Sequence, residues 1–288
     1  MTTAALLLVL SAAVLHATWN LLAKRAGGGL PFVYLVGAIN LALYVPVVAV
    51  CWWWKRPELT GGALAWIAGS GILKTGYSLY LQRSYGTGDF SLVYPLARGT
   101  GPLLSSVAAI VFLGERPGPL ALAGGLTIVI SIFFLAGGTR LFHEDRAHVR
   151  VATRLGATSG AFIAAYTLWD RHGVAVLGIP PLLYDAGTTV TGLILLTPFA
   201  LGRRPEVKRS WRLHRWHATG VAALSSLAYI LVLTALAFTP VSYIAPAREV
   251  SIVIGAFIGS KYLKEADGRR RTWAAVAIAV GILALAIG

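Results

Sequence analysis

Charge is what this sequence has least of. Only 12% of its 288 residues are Asp, Glu, Lys or Arg, while 57% are hydrophobic; a soluble domain carries about 25% charged residues. With a mean hydropathy of +0.71, that deficit excludes an ordinary water-soluble domain and points to a polytopic membrane protein with the lipid bilayer as its solvent. Acids are scarcer than bases, 11 against 25, which leaves a net charge of +14. No basic patch running along an exposed helix with stacking aromatics is expected, so nucleic acid is not an expected partner. Cysteine is nearly missing. A lone Cys51 excludes an intrachain disulfide and any multi-cysteine metal site. No Gly-x-x-x-x-Gly-Lys-Ser/Thr loop occurs, so ATP does not drive the protein directly, and no His-Glu-x-x-His occurs either. No activated-serine motif is evident, and no cofactor or metal is implied. No basic residue precedes the first apolar run, which argues for a first membrane helix and against a cleaved signal peptide.

What is present is a series of apolar windows of about 20 residues, the length a bilayer requires. Ten can be cut: Thr3 to Ala23, Phe32 to Trp54, Gly62 to Gln82, Phe90 to Leu113, Pro119 to Gly137, Arg154 to Asp170, Pro181 to Leu201, Trp216 to Phe238, Val241 to Lys261 and Thr272 to Ile287. Between the fifth and sixth lies a polar stretch, Gly138 to Thr153. The expected fold is an all-α integral membrane protein of ten transmembrane helices, divided as 1–137, a linker 138–153, and 154–288.

The basic residues are distributed unevenly among the connections. Eighteen of the 25 fall in odd-numbered connections, from Lys24 and Arg25 through Arg203 to Arg215 and on to Arg269, Arg270 and Arg271. Four (Lys55, Arg56, Arg116 and Arg171) fall in even-numbered ones. The positive-inside rule then places the odd connections in the cytoplasm and both termini outside, in a multi-pass protein of the inner (plasma) membrane. With five helices per half, the halves are expected to be inverted.

The halves also echo each other. Trp19 and Asn20 stand 150 residues before Trp169 and Asp170, as Arg98 does before Arg248 and Glu115 before Glu265. Ser91 to Pro95 recurs at Ser242 to Pro246, offset by 151. Repetition within a membrane chain points to a transporter with its site between related bundles.

The three remaining cations, Lys74, Arg98 and Arg248, lie inside apolar windows, as do or nearly do Asp170, Asp185 and Glu249. An ionisable group at bilayer depth costs a few kcal/mol or more, so it faces protein or a wet cavity. One reading is structural pairing; the other is a polar cavity in which excess positive charge meets a carboxylate or phosphate of a ligand. A carboxylate in such a cavity can also carry a proton, which nominates Glu249 and Asp170, with structural pairing the alternative for each. His16 is either a packed histidine or a proton relay. Tyr77 and Tyr80 share a helix face with Lys74. Trp19, Tyr94, Tyr166, Trp169, Tyr184, Tyr229 and Tyr243 complete an aromatic set suited to a cation, although Trp and Tyr also anchor helices at the interface, as Trp52 to Trp54 are expected to do. Pro95 and Pro246 free backbone carbonyls near a cavity, or sit in first turns where proline is favoured. Gly156-x-x-x-Gly160 and Gly255-x-x-x-Gly259 allow close helix packing.

His16-Ala-Thr-Trp19-Asn20, Pro95, Gly101-Pro102 and Gly114-Glu115, with Pro246-Ala-Arg248-Glu249 and Lys264-Glu265 in the second half, resemble the EamA family of the drug/metabolite transporter superfamily. The resemblance spans nearly the whole chain. It implies ten helices in two inverted five-helix repeats around a central cavity, and export or exchange of amino acids, sugars, nucleotide derivatives, amines or drugs. The positions it brings to the site are Trp19, Asn20, Tyr77, Tyr80, Tyr94, Arg98, Trp169, Asp170, Arg248 and Glu249; Lys74 joins them on its charge. Glu115 and Glu265 are expected to be structural caps or loop contacts.

The expected activity is secondary transport, by alternating access, of a small polar, zwitterionic or anionic metabolite, with proton coupling as one mode. The alternatives are a carrier of a cationic amine such as choline or a drug, an intramembrane enzyme, or a membrane scaffold. The expected partners are the substrate and the bilayer, with the chain a monomer or homodimer. The orientation is directly testable. In a Cys51→Ser background, Arg209→Cys should react with a membrane-impermeant maleimide only after cells are opened, and Arg56→Cys in intact cells; the opposite pattern would reverse the assignment.

Overall fold

Every described element is a helix, as a bilayer requires of spanning segments that find no water to satisfy their backbone. The computed structural model describes residues 1–26, 29–56, 59–87, 90–136, 146–252, 254 and 268–288, with backbone alone at 24, 55, 81–87, 90–98, 135–136, 146–150, 152–153 and 268–272. In chain order the elements are α1 (Thr3–Arg25), α2 (Leu30–Lys55), α3 (Gly61–Thr87), α4 (Phe90–Leu113), α5 (Pro119–Ala136), α6 (Arg146–Ala175), α7 (Pro181–Gly202), α8 (Arg204–Phe238), α9 (Val241–Ala247) and α10 (Gly268–Ile287). Among the described residues, α1, α2, α7 and α8 are long and apolar enough to cross a membrane, and α4, α5 and α10 contain shorter apolar stretches. The outer surface is apolar, with Trp54, Phe112 and Ile287 more than three-quarters exposed, as expected of side chains that meet lipid.

Helix ends follow local chemistry. Pro31, Pro181 and Pro205 open α2, α7 and α8, where the missing N–H has no intrahelical partner to lose. Gly114 and Gly178 close α4 and α6 at φ +66° and +64°, a region in which a Cβ is strained. The Glu115 N–H donates to Ala109 O (3.3 Å) and the Ile179 N–H to Gly173 O (3.1 Å), so the chain folds back over each helix end and satisfies a carbonyl of its last turns.

Contacts fix the direction of each helix. The N-terminal ammonium of α1 donates to Ala286 O at the end of α10 (3.3 Å), so the termini share one end of the bundle. Trp66 near the start of α3 meets Trp169 and His172 near the end of α6, and Tyr80 further along α3 meets Phe162 earlier on α6. At the other end, Leu22 of α1 lies against Gly220 of α8. α3 and α6 are therefore antiparallel, and because α2 returns the chain between α1 and α3, α1 and α6 run in opposite directions. The packing crosses between halves: α6 lies against α3 and α4, α1 against α8, and α5 against α10. Small residues set the closest approaches. A Cβ on Gly160 of α6 would collide with Thr100 of α4, and one on Gly281 of α10 would lie 2.7 Å from Gly124 O of α5.

Two helices outrun their apolar windows furthest. α6 begins at Arg146 and α8 at Arg204, because helical hydrogen bonding continues where the chain leaves lipid for water. This corrects the expectation that no basic patch with aromatics runs along an exposed helix: Arg204, Lys208, Arg212 and Arg215 are exposed on the first turns of α8, with Trp211 and Trp216 exposed beside them. α9, by contrast, closes early. Pro246 lacks the N–H that Ser242 O would accept, and the chain tightens into i→i+3 bonds from Glu249 to Pro246 O (3.0 Å), Ser251 to Arg248 O (3.3 Å) and Ile252 to Glu249 O (2.9 Å).

Glu115 is the cap its position led us to expect. Its two carboxylate oxygens accept the N–H groups of Val241 (2.8 Å) and Ser242 (2.9 Å), satisfying donors at the start of α9 that no helical carbonyl can reach. Glu265, its repeat counterpart, lies outside the described residues. Glu115→Ala should destabilise the protein by about 1–3 kcal/mol, the penalty for orphaned buried donors, with Glu115→Gln in between. Thermal unfolding in detergent measures this, and an unchanged Tm for Glu115→Ala would contradict it.

Candidate functional site

One carboxylate gathers four helices. Asp170 on α6 is fully buried, and a carboxylate offers about four acceptor positions. Here all four are used. Oδ1 accepts the hydroxyls of Ser70 on α3 and Tyr184 on α7, the latter at 2.9 Å. Oδ2 accepts the hydroxyl of Tyr229 on α8 and lies 3.4 Å from Lys74 Nζ on α3. Ser70 and Lys74, four residues apart, share a helix face, and Trp66 and Tyr77 extend it. Along that face Trp66 stacks on Trp169 at 4.1 Å, and Tyr77 meets Tyr166 edge-on at 5.9 Å.

Lys74 is less enclosed than its partner: its side chain keeps 22% exposure while Asp170 has none. Its ammonium stands 3.4 Å from Thr188 Oγ1, 4.0 Å from the centre of the Tyr229 ring and 5.7 Å from that of Tyr184. The Arg248 guanidinium lies 5.8 Å from the same Tyr229 ring. Two cations thus face one tyrosine whose hydroxyl is bound to Asp170. The arrangement can present positive charge to a ligand from a surface that is only partly enclosed.

A second buried carboxylate lies on α7. Asp185 accepts the Ser226 hydroxyl of α8, and Asn40 of α2 donates through Nδ2 to both Ser226 Oγ and Ala222 O, the latter at 3.0 Å. The Tyr44 hydroxyl of α2 donates to Ala223 O at 2.9 Å. This network ties α2, α7 and α8 together directly beside the Asp170 cluster.

The other expected site residues fall into several environments. Trp169 Nε1 donates to Trp66 O (2.7 Å) and Trp66 Nε1 to Trp169 O (2.8 Å), a reciprocal brace between α3 and α6. Its counterpart Trp19 has no hydrogen-bond partner for Nε1 among the described residues and meets His16 edge-on at 4.7 Å. Asn20 Nδ2 donates to His16 O within its own helix (2.8 Å). Tyr80 packs on Phe162 at 6.1 Å. Glu249 is buried next to Arg248. Tyr94 and Arg98 lie on α4, with side chains outside the described residues. The structure brings Lys74, Asp170 and Arg248 together around Tyr229; Trp19, Asn20 and His16 form a separate group on α1. Sequence reasoning named Tyr184 and Tyr229 only as members of an aromatic set and missed Ser70 and Thr188. Ser70 had one available signal, its four-residue spacing from Lys74.

A profile of the EamA-like transporter family matches residues 3–137 and 153–287. A search of curated protein sequences returns no significant match. Among solved structures, a chain described only as "Crystal structure of protein" superposes with a TM-score of 0.78 over 99% of both chains at 16% identity, a likeness of fold alone.

The cluster predicts a double-mutant cycle. Lys74→Met strands a buried charge and should destabilise by about 3–5 kcal/mol. Lys74→Met with Asp170→Asn should recover most of that loss, because the amide still accepts hydroxyl hydrogen bonds. Thermal unfolding gives the coupling; additive effects would mean that Lys74 and Asp170 are not paired.

Proposed function

We infer the activity from one premise: the chain belongs to the EamA-like transporter family and is a membrane transporter of a small-molecule substrate. Within that premise we propose a secondary transporter of a small polar, zwitterionic or anionic metabolite. Ten membrane-crossing helices form two inverted five-helix repeats, 1–137 and 154–288, joined by 138–153. The opposed directions of α1 and α6 support the inversion. The protein is assigned to the inner (plasma) membrane, with termini outside, as a monomer or homodimer.

The observation that carries the substrate reading is the half-open Lys74. Its ammonium is held by Asp170 while its side chain keeps 22% exposure, an opening through which an incoming carboxylate or phosphate would compete with Asp170 for it. Arg248, facing the same Tyr229 ring, supplies a second cation. The faces of that ring already meet the protein's own cations, which weighs against the choline-like alternative. The same geometry supports proton coupling as one mode. A proton on Asp170 Oδ2 would compete with the Lys74 ammonium for that oxygen. Proton uptake would then release Lys74 to the substrate. Glu249 and His16 are further coupling candidates, and Trp19, Asn20, Tyr77, Tyr80, Tyr94, Arg98 and Trp169 remain proposed binding positions. Alternating access would rock the two crossed halves about this centre.

Purified protein should be screened by thermal shift against amino acids, phosphorylated and phosphonate anions, and quaternary amines. A true ligand at 100 times its Kd adds about 2.7 kcal/mol. Anions or zwitterions should raise Tm by several degrees, and the stable Lys74→Met/Asp170→Asn variant should lose at least about 90% of their exchange in proteoliposomes, the tenfold change that about 1.4 kcal/mol of binding represents. Stabilisation by quaternary amines alone would overturn the anionic reading.

A further inference from the structure

The first turns of α8 stand outside the packed bundle. α8 has 35 residues, about 52 Å at 1.5 Å per residue, whereas the hydrocarbon core is about 30 Å thick. Its buried residues begin at Ala218. Before that point Arg204, Lys208, Arg209, Arg212 and Arg215 are exposed, while Val207, Ser210, His214 and His217 are half-buried. At about 100° per residue, Arg204, Lys208, Arg212 and Arg215 fall within an arc of about 80°. Trp211 borders that arc. The half-buried line is centred about 140° away, and Glu206, the stretch's single acid, lies on the far side. The protein-facing side of the overhang is thus separate from its basic side.

Three features point to what covers this stripe. Lys208, Arg209 and Arg212 line a shallow depression with Pro205 and Leu213. Trp211 and Trp216 are 47% and 76% exposed, the disposition of aromatic rings at headgroup level. α1 ends at the same end of the bundle, where Leu22 meets Gly220, and Arg25 adds exposed positive charge there. The stripe is continuous with the membrane-crossing part of its own helix, so the nearest polyanion is the leaflet itself.

We propose that the stripe of Arg204, Lys208, Arg212 and Arg215 is a docking site for anionic phospholipid headgroups. The lipid phosphates sit against the guanidinium and ammonium groups, Trp211 and Trp216 lie at the headgroup boundary, and α8 is held at a fixed depth. The site is independent of the substrate reading.

The test uses the full chain in neutral detergent. Native mass spectrometry follows retention of dihexanoyl phosphatidylglycerol or phosphatidylcholine by wild type and by R204Q/K208Q/R212Q/R215Q. Wild type should prefer phosphatidylglycerol at least tenfold, and the quadruple variant should lose that preference, whereas K55Q/R56Q at the opposite end should keep it. If the quadruple variant does not fold, raising NaCl from 50 to 500 mM on wild type should release the lipid about tenfold, and the all-lysine variant should still bind. Equal retention by wild type and quadruple variant would overturn the proposal, as would salt-insensitive retention. So would stripe-dependent binding of inorganic phosphate or a short DNA duplex that displaces the lipid.

Discussion

A carboxylate without water must be surrounded. Asp170 is fully buried in protein, where an ion is tolerated only if hydrogen-bonded and paired. Four side chains from three other helices meet that demand: Ser70 and Lys74 from α3, Tyr184 from α7 and Tyr229 from α8. α3 belongs to the first half of the chain, and the other helices of the cluster to the second. The pairing that keeps Asp170 tolerable therefore also holds the halves together. Little hydrophobic force draws helices together in lipid, so such polar contacts and close small-residue packing decide which helices are neighbours. Trp66 and Trp169, exchanging hydrogen bonds with each other's backbone, extend the seam.

A second constraint comes from helix ends. Gly114 turns the chain out of α4, and the residue it releases, Glu115, reaches across to cap α9. α9 in turn gives way at Pro246, leaving Arg248 and Glu249 on a tightened turn instead of a regular helix. Irregular backbone at membrane depth is tolerated where it is buried in protein or borders a cavity. Arg248 is thereby presented to the Tyr229 ring beside Lys74. One dipeptide at the end of α4 supports the cationic side of the centre.

Much of this was legible in composition and spacing. Apolar windows located helices because bilayer thickness imposes their length, and the repeated glutamate at a helix end, Glu115 and Glu265, pointed to a cap. The windows could not see where helices continue into water, so the early starts of α6 and α8, and the basic stripe on α8, appeared only in three dimensions. The charges at depth identified Lys74, Asp170 and Arg248 individually. Who meets whom was not readable: Tyr229 reaches Asp170 across 59 positions and Ser70 across 100, and no local pattern records such pairings. The repeat comparison singled out the Asn20/Asp170 position. Asn20 bonds within its own helix while Asp170, 150 residues later, organises four, so the copies diverge where the polar centre forms.

The central claim is that the Lys74–Asp170 pair opens to admit the anionic group of the substrate. The most direct measurement is a structure determined with the anion that most stabilises the protein. The account predicts a carboxylate or phosphate oxygen within salt-bridge distance of Lys74 Nζ, with the contact to Asp170, now 3.4 Å, lengthened or lost. A ligand bound elsewhere, with that pair intact, would contradict it.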